Sequence, residues 1–262
     1  MRQGTVRSSD GVALSFQFSG RGHPLLLVHG TTTDSALWND VAPLLTDRVR
    51  VIALDRRGRN QSGDADRHAL ELEVDDIEAV LRAIGEPTYV LGHSFGAICA
   101  LEAARRTTAV DKLVLYEPPL VEEIPPALEA GLAAIEKCVA AGDGEGAVAG
   151  FFRGVESLGD DDLAKLRALP SWAARVRAAA SIAREMRAVL AYRLAPARFA
   201  KLARPTLLLE GAESPGLLKR ATRTVGAAIA GSQIVSLPGQ RHSAMITAPG
   251  MFATALLEFL SR

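Results

Sequence analysis

The residues Val90-Leu91-Gly92-His93-Ser94-Phe95-Gly96-Ala97 decide the fold class of this chain. An apolar run, Tyr89 to Leu91, leads into the pattern G-x-S-x-G, and a helical pattern, Ala97 to Thr107, follows it. A serine between a strand and a helix stands on a sharp turn, and the two glycines leave the space that such a turn requires. We therefore interpret Ser94 as a candidate nucleophile at the end of a buried strand.

Further strands are indicated by short, unbroken apolar runs, each bounded by glycine, proline or charged residues. These runs are Leu25 to Val28, Val49 to Leu54, Leu113 to Tyr116, Thr206 to Leu209 and Ile234 to Leu237. Between them lie helical patterns such as Leu70 to Ile84, which Gly85 ends. Strands that alternate with helices predict an α/β fold with a doubly wound, mostly parallel sheet.

The first strand signal differs from these runs. Val12 to Phe18 alternates apolar and polar residues between two turn signals, Asp10-Gly11 and Ser19-Gly20. This alternation is typical of a half-exposed antiparallel strand, and we expect it at a sheet edge within an opening β-hairpin.

The alternation of strands and helices stops between Pro118 and Arg204, where Ala, Leu, Arg and Glu dominate. We expect residues 118–204 to form an all-helical cap of about four helices, with Trp172 to Arg193 as one of them. The core domain is then residues 1–117 and 205–262.

Composition limits the partners. Thirty Lys and Arg balance thirty Asp and Glu, so a small neutral molecule is favoured over nucleic acid or an anionic membrane. No run reaches the roughly 18 to 20 apolar residues of a membrane span, and Cys99 and Cys138 lie in apolar helical patterns as expected for buried thiols. We expect a soluble cytoplasmic protein, a monomer or a homodimer.

A catalytic base and an oxyanion hole have candidates on either side of Ser94. The strand Leu25 to Val28 ends in His29-Gly30-Thr31, so the backbone amides of Thr31 and Phe95 are candidate oxyanion donors. His242 follows the strand Ile234 to Leu237 in a loop and is the candidate base. His29 is either a structural histidine or a base, and the structural role is favoured because a base normally follows the nucleophile in this architecture.

The remaining histidines lie in loops or beside the serine, and no H-x-x-x-H or Cys-His spacing is present. We therefore expect neither a metal site nor a zinc mechanism.

Four motifs in this order resemble the α/β-hydrolase fold superfamily: His29-Gly30, Asp55 to Gly63, Gly92 to Gly96 and Gly239-Gln240-Arg241-His242. The resemblance implies an eight-stranded sheet, a helical cap inserted after the sixth strand, and a Ser-acid-His triad without a cofactor. It also implies that Asp55 to Gly63 is a structural loop, so Asp55 is not expected to be the acid.

The acid is where this sequence departs from the family. Members with the usual arrangement carry Asp in a G-x-x-D context after the strand that matches Thr206 to Leu209, and here Ser214 occupies that place. A neutral hydroxyl cannot stabilise an imidazolium by charge. We favour Glu117 over Glu213, with Glu210 third, because Glu117 ends a buried strand and lies between Ser94 and His242 in sequence.

These residues indicate a serine hydrolase that cleaves a small or medium-sized, hydrophobic ester, thioester or lactone through an acyl-enzyme on Ser94. His29, Trp38, Met186 and Tyr192 are the candidate pocket residues, although core packing is an equally ordinary role for each of them. Two alternatives remain: other chemistry on the same triad, such as that of a carbon–carbon bond hydrolase, cofactor-free haloperoxidase or perhydrolase, lyase or cyclase, and a non-catalytic small-molecule receptor.

Overall fold

The chain forms an eight-stranded, mostly parallel sheet, which confirms the predicted α/β class. The structure is a computed structural model that describes residues 2–121, 123–156 and 158–262. The strands are β1 (Arg2–Arg7), β2 (Ala13–Ser19), β3 (His23–Val28), β4 (Val49–Asp55), β5 (Thr88–His93), β6 (Val110–Tyr116), β7 (Thr206–Gly211) and β8 (Gln233–Leu237). Their order in the sheet is β1-β2-β4-β3-β5-β6-β7-β8, and among these described strands the antiparallel pairings are β1 with β2 and β2 with β4.

Helices follow the strands in the order that the sequence predicts. They are α1 (Ala42–Leu45), α2 (Leu70–Ile84), α3 (Phe95–Arg106), α4 (Pro126–Ala140), α5 (Gly144–Gly154), α6 (Asp160–Arg167), α7 (Ser171–Arg177), α8 (Ala180–Ala191), α9 (Gly216–Ala228), α10 (Ala244–Thr247) and α11 (Pro249–Leu260), with 3-10 turns at Ser35–Trp38 and Pro196–Arg198. No helix in the described part of the chain combines the length and the apolar character that crossing a bilayer requires.

The central strands are buried on both faces, as their unbroken apolar runs predict. Leu25, Leu26, Leu27 and Val28 of β3 are completely buried, and Leu27 lies opposite Ala53 of β4 and Leu91 of β5. Because parallel strands end on the same side of the sheet, the residues that follow β3, β5 and β6 gather at one edge.

The prediction that the alternating segment Val12 to Phe18 lies at the edge of the sheet is wrong. The alternating segment that we expected at the edge, β2, lies one strand inside it, because β1 pairs with β2 from Arg2 opposite Phe18 to Arg7 opposite Ala13. Charged and polar residues dominate β1 and leave it largely exposed, so it carries no apolar pattern by which it could be found.

The chain divides into two compact units: Met1–Gly30, Asp34–Leu120 and Leu194–Arg262 form the first, and Thr31–Thr33 with Val121–Arg193 form the second. The second unit contains α4 to α8 around a core that includes Ile135, Phe152 and Ile182. The domain boundaries at 118 and 204 stay a prediction.

Two details of the second unit differ from the prediction. Trp172 to Arg193 is not one helix: α7 and α8 meet at a corner, and this corner packs closely on Gly144, where a Cβ atom would come within 2.8 Å of the Val176 carbonyl oxygen. Cys138 is only partly buried, since it packs at the margin of this core, whereas Cys99 of the first unit is fully buried.

Buried ion pairs join α2 to the loop that follows β4. Arg57 binds Asp76 through two hydrogen bonds of 2.7 Å, and both side chains are almost completely buried. Burial raises the pKa of Asp76 above its usual value in spite of the arginine beside it. The cost of desolvating this pair is therefore large, and each partner depends on the other.

We expect Arg57→Met to lower the free energy of unfolding by about 3–5 kcal/mol, because it leaves Asp76 buried without its cation. The control is Arg50→Met, which removes the partly exposed ion pair with Glu86 and is expected to cost less than about 1 kcal/mol. Urea unfolding of both variants measures the difference, and the double variant Arg57→Met/Asp76→Leu is expected to regain part of the loss. Equal losses in the two single variants would contradict the argument.

Candidate active site

Ser94 occupies a strained turn between β5 and α3. Its backbone angles are φ 54° and ψ −127°, a conformation that residues with a side chain rarely adopt. The Ser94 amide donates a 3.0 Å hydrogen bond to the carbonyl of Tyr116, which fixes the turn to the end of β6. The residue is half-buried, so solvent reaches it at the end of β5.

Three glycines make this turn possible by their lack of a Cβ atom. A Cβ on Gly92 would come within 2.6 Å of the Ala97 Cα, and a Cβ on Gly96 would come within 2.5 Å of the Val28 carbonyl oxygen. Gly30 packs against the serine itself, because a Cβ atom on Gly30 would lie 2.7 Å from the Ser94 Cβ. The end of β3 therefore lies directly against the turn.

The structure brings His242 and Glu117 together. The His242 Nδ1 donates to the Glu117 Oε2 at 2.6 Å, and the Gly211 amide at the end of β7 donates to the Glu117 Oε1 at 2.7 Å. The Glu117 carboxylate is completely buried and the His242 side chain is 8% exposed. With its proton on Nδ1, the neutral ring carries its lone pair on Nε2, which is the tautomer that a general base requires.

The other carboxylates lie elsewhere. Glu213 is exposed to solvent, and Glu210 binds Arg223 of α9 at 3.3 Å. The Asp55 carboxylate is buried and accepts hydrogen bonds from the Ser35 amide and the Asn60 side chain, as expected for a structural loop. Burial raises the pKa of Asp55 above its usual value. Among these carboxylates, Glu117 is the one in contact with the His242 ring.

Phe95, one of the two candidate oxyanion donors, is the first residue of α3, where backbone amides lack partners within the helix. The Arg56 guanidinium lies 4.8 Å from the centre of its ring and donates 3.3 Å hydrogen bonds to the carbonyls of His29 and Gly30. The sequence does not predict this role for Arg56, which lies within the loop Asp55 to Gly63 that we interpret as structural. Its charge now supports two of the segments around Ser94.

Thr31, the other candidate donor, belongs to the second unit. There its neighbour Thr32 accepts hydrogen bonds from Arg175 through its carbonyl at 2.9 Å and its hydroxyl at 3.0 Å. The assignment of Thr31 and Phe95 to an oxyanion hole stays a prediction.

His29 has the structural contacts that favour the first of its two proposed roles. Its Nδ1 donates to the Gly30 carbonyl at 2.8 Å, and its Nε2 accepts from the Arg56 amide at 3.1 Å. Burial lowers the pKa of His29 well below its usual value, and the charges of Arg56 and Arg59 act in the same direction. Both ring nitrogens therefore serve the backbone, which gives no support for His29 as a base or a pocket residue.

The remaining candidate pocket residues are buried in the two units. Trp38 lies in the core of the first unit, with its ring 6.5 Å from that of Phe252, so the structure gives it a packing role. Met186 belongs to the core of the second unit, and Tyr192 is the 8% exposed residue at the end of α8. The lining of a substrate pocket by these residues stays a prediction.

A strained serine between a parallel strand and a helix, and a histidine paired with a carboxylate at the same sheet, are the hallmarks of the α/β hydrolases. Residues 25–255 match the model of the alpha/beta hydrolase family, and the chain belongs to that family.

Individual relatives agree with this assignment. The chain is similar to an alpha/beta hydrolase from Sphaerobacter thermophilus, with 31% sequence identity and a TM-score of 0.87 over 98% of this chain and 100% of that one. It is 35% identical to N-formylmaleamate deformylase from Pseudomonas putida over 118 residues, 43% of this chain and 44% of that protein. It is 38% identical to pimeloyl-[acyl-carrier protein] methyl ester esterase from Methylococcus capsulatus over 94 residues, 36% of each chain. The chain thus spans less than half of the length of these two curated relatives.

We expect Gly96→Ala to destabilise the fold by about 1–3 kcal/mol, because the new methyl group meets backbone atoms of Val28 and His29 at the end of β3 that cannot move aside. Gly250→Ala is the matched control, since Gly250 is likewise the second residue of a twelve-residue helix. Apart from its chain neighbours and its own helix backbone, no atom of the described residues lies within 4 Å of its Cβ position. Urea midpoints measure both, and a Gly96→Ala midpoint equal to that of Gly250→Ala would contradict the close approach.

Proposed function

We propose that this chain is a serine hydrolase in which Ser94 is the nucleophile, His242 the general base and Glu117 the acid of the triad. The observation that carries the proposal is the 2.6 Å hydrogen bond between His242 and the buried Glu117 carboxylate. A buried carboxylate on the base holds the imidazole in one tautomer and stabilises the imidazolium that forms when the base accepts a proton.

The reaction follows from these roles. The Ser94 Oγ attacks the carbonyl carbon of the substrate while the His242 Nε2 takes its proton, and the leaving group departs with that proton from the imidazolium. Water, deprotonated by the same histidine, then releases the acyl group and restores the serine. The backbone amides of Thr31 and Phe95 are the proposed donors to the oxyanion, and loss of one such donor costs other enzymes about 100- to 1,000-fold in rate.

The proposed substrate is a small or medium-sized, hydrophobic ester, thioester or lactone. Two similar proteins bear the names of a methyl ester esterase and a deformylase, and both names describe cleavage of a bond to a carbonyl carbon. The proposed reaction needs no cofactor, because the nucleophile, the base and the acid are side chains of the chain itself.

Two alternatives make different demands on the same residues. Carbon–carbon bond hydrolysis, perhydrolysis, lyase or cyclase chemistry would use the triad unchanged and would differ in the substrate. A non-catalytic receptor has no need of an acid on the histidine, so the contact between Glu117 and His242 counts against it.

The first test is labelling with a fluorophosphonate probe, followed by the mass of the intact protein. The wild type is expected to gain one adduct, since the activated Ser94 Oγ displaces fluoride from phosphorus, and Ser94→Ala is expected to gain none. Glu117→Gln is expected to react about 1,000- to 10,000-fold more slowly, because an amide at this position favours the wrong tautomer of the histidine. An unlabelled wild type would move the assignment to the receptor.

Glu213→Gln is the matched control for Glu117→Gln, because it makes the same chemical change on an exposed carboxylate. We expect it to react at the rate of the wild type. A loss of reactivity in Glu213→Gln, with Glu117→Gln unaffected, would move the acid to position 213.

A second test moves the acid. Gly211 approaches both residues, since its amide binds the Glu117 carboxylate and a Cβ atom on it would lie 2.7 Å from the Ser214 Oγ. We expect Ser214→Asp in the Glu117→Gln background to recover part of the lost labelling rate, because it returns a carboxylate to the vicinity of the His242 Nδ1. The double variant Glu117→Gln/Ser214→Asn is the control without charge, and equal rates in the two would contradict the rescue.

A further inference from the structure

His242 lies on a loop, between the end of β8 at Leu237 and the start of α10 at Ala244. A base works only while its ring stays aligned with both the acid and the nucleophile, and a shift of about 1 Å can cost about a hundredfold in rate. The bond to Glu117 holds the Nδ1 of the ring. What holds the backbone of this loop is therefore part of how the base is aligned.

Tyr116 binds the loop on both sides of His242. Its hydroxyl donates to the carbonyl of Arg241, and it accepts a 3.2 Å hydrogen bond from the amide of Ala244. The Tyr116 side chain is completely buried at the end of β6, and its ring lies 5.5 Å from that of Phe252. The hydroxyl is thus a fixed point that spans the residue carrying the base.

His93 binds the same loop at its centre. Its Nε2 donates a 2.9 Å hydrogen bond to the carbonyl of His242, and the two rings lie 4.5 Å apart. Burial lowers the pKa of His93 well below its usual value, and the charge of His242 acts in the same direction. The ring therefore stays neutral, and the hydrogen bond to the carbonyl places its proton on Nε2.

We propose that Tyr116 and His93 are positioning residues that clamp the His242 loop, each of them standing one residue before a member of the proposed triad. Tyr116 precedes Glu117 at the end of β6, and His93 precedes Ser94 at the end of β5. The strands that carry the acid and the nucleophile thereby also hold the base, so the three groups keep one geometry. This inference rests on the proposed function, because it assigns a role relative to the proposed base.

The test removes the hydrogen bonds to the loop and keeps an apolar side chain at each position. Tyr116→Phe deletes the hydroxyl, and His93→Leu deletes the ring nitrogen donor, while His93→Gln returns an N–H donor at the end of a side chain of similar length. Each variant is assayed with p-nitrophenyl butyrate for kcat and KM, with the fluorophosphonate for labelling rate, and in urea for stability. Tyr89→Phe is the matched control, because it removes a tyrosine hydroxyl at the opposite end of β5, where the ring stacks on His23 at 3.9 Å.

We expect Tyr116→Phe and His93→Leu to lower kcat and the labelling rate by about 10- to 100-fold, with KM changed by less than about threefold, because the loop no longer aligns the base. His93→Gln is expected to recover most of the loss of His93→Leu, and Tyr89→Phe to match the wild type. A purely structural role would move the urea midpoint without this split between kcat and KM, and would overturn the clamp.

The outcomes separate this inference from the one on which it rests. A labelled wild type with Tyr116→Phe and His93→Leu as fast as Tyr89→Phe overturns the clamp and leaves the proposed triad intact. A wild type that forms no adduct overturns the proposed function, and the clamp with it.

Discussion

The arrangement at the carboxyl edge of the sheet depends on one buried carboxylate. Glu117 is completely buried, and each of its oxygens has a partner, the His242 ring on one and the Gly211 amide on the other. A charge in such surroundings is tolerated only when it is paired and hydrogen-bonded, so the ends of β6 and β7 and the loop after β8 are held at fixed distances around it. The backbone at Glu117 is also strained, since its φ of 45° lies in the left-handed region that favours glycine.

Charge also supports the segments around the serine. Arg56 is almost completely buried and binds the Glu73 carboxylate of α2, the carbonyls of His29 and Gly30, and the face of Phe95. Burial alone would raise the pKa of Glu73, but the charges and hydrogen bonds of Arg56 and His68 together outweigh burial, and the pKa lies well below its usual value. The ion pair therefore stays charged, and the guanidinium of Arg56, balanced by the Glu73 carboxylate, lies against Phe95 at the start of α3.

The fold class and the candidate nucleophile could be predicted from strong local sequence patterns. The features that could not be predicted depend on contacts between distant parts of the chain. The buried strands and the turn at Ser94 follow from apolar runs and glycine spacing, and Glu117 follows from the rule that charged residues after buried strands need partners. The edge strand β1 has no apolar pattern, and the break between α7 and α8 lies close to Gly144, 32 or more residues earlier in the chain, so the alanine-rich segment itself carries no signal of it. The contacts of Tyr116 and His93 with the loop of His242 span 125 residues or more along the chain, so no local pattern encodes them.

The proposed acid at the end of β6 lies close to the position after β7 where the family usually carries it. β6 and β7 are neighbours in parallel register, with Tyr116 opposite Leu209, and neighbouring strands lie about 4.8 Å apart. A carboxylate that leaves the end of β6 can therefore reach the same imidazole as one that leaves the loop after β7, provided that its side chain is long enough. Glutamate supplies one more methylene than aspartate, and its second oxygen then meets the Gly211 amide of β7. With the proposed acid at Glu117, the loop after β7 needs no carboxylate, and it accommodates the small Ser214 against the closely packed Gly211.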